Sequence, residues 1–136
     1  MNGFFRTALV LVASAGIALA QTPVPQSSPI AYQARSAQSD PDILKAWPEL
    51  VPIKANAPAL FKDMTHYVAS VQTIYGPATL SMVIGGSLCG RPECDVRIFI
   101  EGRQPNTVPA CSDLTAHYVS EDKQGIVACG KFLPFL

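Results

Sequence analysis

Residues 80–101, LSMVIGGSLCGRPECDVRIFIE, constrain the fold more than any other part of the chain. Leu80, Met82 and Ile84 alternate with Thr79, Ser81 and Val83, and later Val96, Ile98 and Ile100 alternate with Arg97, Phe99 and Glu101. That period of two belongs to strands with one buried face. Between the two runs stand Gly90, Arg91, Pro92 and Glu93, bracketed by Cys89 and Cys94. Strand ends that already face each other can hold a disulfide across so short a loop. The resulting ring would present Arg91, Pro92 and Glu93 on a rigid frame, and rigidity lowers the ordering cost of binding. The same ring serves equally well as a plain staple.

The chain opens with Arg6, then an apolar run ending in Ala18-Leu19-Ala20 before Gln21. A positive start, a short apolar stretch and an A-x-A site predict a secretory signal peptide over 1–20. The run is too short to span a bilayer comfortably and no basic stop follows it. Removing these 20 residues takes away Arg6 alone among charged groups and leaves 116 residues with a net charge of −1. That length predicts one compact domain. The charge balance speaks against nucleic acid, which asks for a basic face. No later segment is long and apolar enough to predict membrane insertion. Oligomeric state is open between monomer and homodimer.

Cys89, Cys94, Cys111 and Cys129 all lie in the second half. In an oxidising compartment an even count reads as disulfides, and four cysteines allow three connectivities. Cys89–Cys94 with Cys111–Cys129 is the expected set, because the first pair brackets a turn. The spacing speaks against a four-cysteine zinc site or a redox-active pair, since no C-x-x-C occurs.

Residues 21–39 are rich in Pro, Ser and Gln and bury too little to offset their ordering entropy, so a flexible leader is expected there. The single domain then covers 40–136. Ser39 or Asp40 would cap a helix with Pro41 in its first turn and Ile43, Leu44 and Trp47 on one face, Trp47 being a core anchor. A second short helix over 57–64 would carry Leu60, Phe61 and Met64 inward. From His66 to Ile74 the period becomes two, and Gly76-Pro77 turns the chain into the strand already described. Residues 102–109 read as a polar, proline-bearing loop. Leu114–Ser120 and Ile126–Phe132 read as fourth and fifth strands around a turn at 121–125. The class is α+β: a five-stranded antiparallel sheet with short N-terminal helices packed on one face.

Residues that could carry catalysis are sparse. His66 and His117 fall in strands at positions compatible with exposed rows. Ser112, Asp113 and His117 could be assembled into a hydrolase site, but no nucleophile elbow surrounds the serine. The carboxylates Asp63, Glu93, Asp95, Glu101, Asp113, Glu121 and Asp122 are scattered. Gly85-Gly86 is followed by neither a lysine nor a helix start, so it marks a bulge or a close backbone approach rather than a phosphate loop. The reading is a non-enzyme with no catalytic residue, metal or cofactor.

The order of helices, antiparallel strands and a Cys-x4-Cys loop between two central strands resembles the Ivy family, periplasmic inhibitors of vertebrate c-type lysozyme. The likeness covers Asp40 to Glu101 in outline and is specific around the loop. There VIGGSLCGRPECDVRIFI matches a small-residue stretch leading into Cys-Lys-Pro-His-Asp-Cys and then an Arg-Ile-type strand. The resemblance implies a periplasmic protein whose loop Cys89, Gly90, Arg91, Pro92, Glu93 and Cys94 enters the cleft of lysozyme or a lytic transglycosylase. In the family a loop histidine is held against the two catalytic carboxylates. Here Pro92 stands at its place and Arg91 replaces the proline, while Cys111 and Cys129 lie outside the family pattern. The alternative is a non-enzymatic envelope binding or immunity-type module with another protein partner.

Overall fold

The computed structural model describes residues 28–86, 88–89 and 92–136. The expected signal peptide, the leader up to residue 27, and Gly90 and Arg91 lie outside them. The elements run β1 (Ser28–Pro29), β2 (Gln33–Ser36), α1 (Ile43–Ala46), a 3-10 turn (Pro48–Leu50), α2 (Val51–Asn56), α3 (Pro58–Lys62), β3 (Thr65–Thr73), β4 (Gly76–Ile84), β5 (Glu93–Ile100) and β6 (Asn106–Cys111). A second 3-10 turn (Leu114–Ala116), β7 (His117–Val119), β8 (Gly125–Ala128) and β9 (Lys131–Pro134) follow.

The class is α+β, but the strands form two antiparallel sheets rather than one. A five-stranded sheet has the order β2-β3-β4-β5-β6, and a four-stranded sheet the order β1-β7-β8-β9. Three expectations are corrected by this. The expected loop at 102–109 holds over 102–105 and gives way from Asn106 to β6, which pairs with β5 from Ile98↔Asn106 to Glu93↔Cys111. Its two buried residues, Val108 and Ala110, alternate with exposed neighbours, and Pro109 is tolerated because β6 is an edge strand. The expected fourth and fifth strands therefore leave the first sheet and belong to the second. Part of the expected flexible leader is also strand: β2 pairs with β3 and β1 with β7. That segment is poor in apolar residues overall, but Ile30 and Ala37 are buried, and edge pairing to partner strands supplies its backbone bonds.

Local chemistry accounts for finer departures. Leu114–Ala116 is a 3-10 turn rather than strand, with the Asp113 side chain accepting the Thr115 amide at 3.1 Å. The expected fifth strand splits at Cys129-Gly130, where both residues have positive φ, 47° and 80°. Two such residues make the tight hairpin turn that matches strand twist. Phe61 in α3 and Met64 just beyond it are buried as expected, whereas Leu60 is 49% exposed.

The five-stranded sheet is covered on both faces. Leu80, Met82, Val96, Ile98 and Ala110 meet Val119, Ile126, Leu133 and Phe135 between the sheets. On the opposite face Ile43, Trp47, Leu50, Phe61 and Met64 pack on Val83. The helices reach only one end of that face. Ser81 and Val83 are buried beneath them, while Thr79, on the same face of β4, is exposed.

Candidate functional site

Three polar constructions stand out on this frame: the cysteine loop, a buried network beneath Trp47, and a second buried histidine between the sheets.

The loop leaves β4 through two glycines that no other residue could replace without rearrangement. At Gly85, φ is +118° and a Cβ would lie 2.6 Å from the Asp63 carbonyl oxygen; at Gly86, φ is +58° and a Cβ would lie 2.7 Å from Met64 Cε. The close backbone approach expected of this pair is therefore against the end of α3. Leu88 then packs partly buried on the helical core. Cys89 and Cys94 are joined, with Cα atoms 4.7 Å apart, and Cys94 is buried between the sheets. Among the described ring residues Cys94 is buried, Cys89 half-buried, and Pro92 and Glu93 exposed.

The second disulfide begins next to that root. Glu93 stands opposite Cys111 in the β5–β6 ladder, and Cys111 is joined to Cys129, Cα atoms 6.2 Å apart, at the β8–β9 turn. The ring, β5, β6 and the second sheet are thus linked by two disulfides flanking one pair of strands.

No local motif marks the network beneath Trp47. Both histidines are buried, at 2% and 1% exposure, rather than standing in exposed rows. His66 Nδ1 donates to Asp40 Oδ2, and His66 Nε2 lies 2.6 Å from Ser81 Oγ. Ser81 Oγ also accepts Trp47 Nε1–H at 2.8 Å. Indole N–H only donates, so a neutral His66 gives the chain one direction: Trp47 to Ser81, Ser81 to His66, His66 to Asp40. The other Asp40 oxygen accepts the Asp42 amide at 3.0 Å, with Arg35 Nη1 at 3.9 Å. Burial by itself would raise the Asp40 pKa; the bonds from His66 and the Asp42 amide, with the charges of His66 and Arg35, outweigh it and hold the carboxyl low.

Arg97 closes the other side of Trp47. Its guanidinium lies 4.0 Å from the ring centroid, donates to the Ala46 carbonyl at 2.7 Å and pairs with Glu49. Where the helices stop short of the sheet, a pocket of about 310 Å³ opens between Arg35, Lys45, Val68, Thr79 and Phe99, with His66 and Ser81 on its wall.

His117 holds a different set. Tyr32 Oη donates to its Nδ1 at 3.0 Å, and its Nε2 donates to the Cys111 carbonyl at 2.8 Å. Burial lowers its pKa, against the opposing effects of the Cys111 carbonyl and Asp113. Burial likewise raises the Tyr32 phenol. Asp113 caps the nearby turn, so Ser112, Asp113 and His117 do not form a relay.

Among the described residues no helix is long and apolar enough to cross a membrane. The class defined by these features is a disulfide-stapled α+β domain with a ring at one end of its central sheet. No protein-family model, curated protein or solved structure matches the chain.

Proposed function

We propose that this is an exported inhibitor of lysozyme or a related peptidoglycan-cleaving glycosidase, with the Cys89–Cys94 ring as the plug. The observation that carries this reading is the form of the ring: a short disulfide-closed loop with Pro92 and Glu93 exposed, its root fixed by Gly85, Gly86, Leu88 and buried Cys94. Such a loop loses little entropy on entering a cleft. A glycosidase cleft presents two carboxylates, and the Arg91 guanidinium is the group suited to pair with them. Desolvating that cation is favourable only against well-placed partners, which restricts the target to clefts with the right carboxylate spacing.

The test is a cell-wall lysis assay with c-type lysozyme and with lytic transglycosylases. Stoichiometric inhibition by the oxidised protein, lost in Arg91→Ala and on reduction, is the expected result. Failure against every peptidoglycan-cleaving glycosidase tried would reject the reading and leave a binding or immunity-type module for another protein.

A further inference from the structure

The buried network uses none of the ring, and its chemistry points elsewhere. We propose that Ser81 is an activated nucleophile, with His66 as its base and Asp40 as the group that orients the base, taking small carboxylic esters through the adjoining pocket. Three geometric conditions of nucleophilic catalysis are met together. The hydroxyl lies 2.6 Å from His66 Nε2, the far ring nitrogen is held by a carboxylate, and both Ser81 and His66 line an open pocket. Trp47 fixes the tautomer, because its N–H occupies Ser81 Oγ and turns the hydroxyl hydrogen toward His66. A volume of about 310 Å³ suits a small acyl group.

In the reaction Ser81 Oγ bonds to the ester carbonyl carbon while its proton passes to His66 Nε2. The carbonyl–alkoxide bond then breaks, and His66 returns the proton to the departing alkoxide. Water attacks the acyl-serine, again giving its proton through His66, and releases the carboxylic acid. Charge develops on the carbonyl oxygen in both steps. The Trp47 N–H stays on Ser81 Oγ, and the pocket wall carries Arg35 and Lys45 against the single carboxylate Asp42, which pairs with Lys45, so its net positive charge favours negative charge there. Ser81 is only 1% exposed, which limits water as well as substrate. Slow deacylation and an accumulating acyl-enzyme follow.

The experiment is intact-mass spectrometry of the oxidised protein incubated with p-nitrophenyl acetate and, separately, with a fluorophosphonate, which forms a serine–phosphorus bond and expels fluoride. One adduct per chain is expected, mapping to Ser81, with release of one equivalent of nitrophenol before a slow phase. The rate of adduct formation should fall about 10²-fold or more in His66→Gln. It should be unchanged in Arg91→Ala, which separates this site from the inhibitor reading. Absence of an adduct, or one mapping to a lysine or another serine, would overturn the assignment and leave the network a structural clamp. Peptide mapping on the wild type separates these outcomes whether or not Ser81→Ala folds.

Discussion

Replacing Asp40 by asparagine preserves side-chain size and removes one of two acceptors from a site where both are in use. Oδ1 takes the Asp42 amide and Oδ2 takes His66 Nδ1–H, and the side chain is 1% exposed. The variant must therefore face one buried donor with its NH2 group. Reversing the chain gives no relief. With the proton moved to Nε2, His66 and Trp47 would both donate to Ser81 Oγ, and the serine hydrogen would be left without this acceptor. A hydrogen bond to a charged group is worth about 1.5–3 kcal/mol, and an unsatisfied buried donor costs about 1–3 kcal/mol. These losses overlap, so a destabilisation of about 3 kcal/mol is expected, or roughly 12 °C in Tm for a domain of this size. Urea unfolding monitored by Trp47 fluorescence measures it, with the denaturant slope unchanged. Asp40→Asn and Ser81→Ala should also couple by about 0.5 kcal/mol or more in a double-mutant cycle. A cost below about 1 kcal/mol, or additivity of the two variants, would refute the directional chain.

Acid should act through two groups in separate windows. Asp40, held below its ordinary value of 3.8, contributes stability that is complete above that value and is lost as pH falls through its lower folded value; Asp40→Asn should lack this slope. His117 is depressed from 6.5, so its contribution is complete above that pH and is lost as pH falls through its folded value; an NMR titration of the ring at or above 6.5 would contradict this. The Cys111–Cys129 bond spans 18 residues, and the pair Cys111→Ala/Cys129→Ala should lose about 3 kcal/mol in a thermal or urea melt, with a loss under about 1 kcal/mol opposing the reasoning. Gly85→Ala combines positive φ with a 2.6 Å clash against backbone, whereas Gly76→Ala has positive φ and open space. Gly85→Ala should therefore be the more damaging by about 1 kcal/mol or more in the same melt, and equal losses would show that the approach to α3 is not rigid.

What the sequence disclosed was set by how far apart the cooperating residues lie. The strands flanking the cysteine loop were legible because their period of two is local, as was the core placement of Trp47, an indole amid Ile43, Leu44 and Leu50. The edge strands were not. β2 pairs along one edge only and carries little apolar weight, and β6 carries Pro109, so partner strands rather than propensity define both. The division into two sheets was equally hidden, because it depends on which strands pair and not on where strands occur. His66 and Ser81 occupy the polar phase of β3 and β4, which reads as a solvent face until helices are placed on it. Asp40, His66 and Ser81 share no motif. The available signal was Ser81 between Leu80 and Met82, a hydroxyl in a run buried on both faces, and that alone names no partner.

The two disulfides bear on the inhibitor reading together. Cys94 and Cys111 sit on neighbouring strands at adjacent register positions, opposite Ala110 and Glu93 respectively. Any displacement of the ring root must therefore move β5 against β6, and β6 is tied through Cys111–Cys129 to the β8–β9 turn of the second sheet. Gly85 and Gly86 hold the other limb of the loop against α3. A plug fixed on both limbs is pre-organised, so its association should lose little entropy and respond weakly to substitutions that only stiffen it. Releasing Cys111–Cys129 while leaving Cys89–Cys94 intact should then weaken inhibition through dissociation rate, with the ring itself chemically unchanged. Under the inhibitor reading the second disulfide is then part of the binding device even though it lies outside the loop.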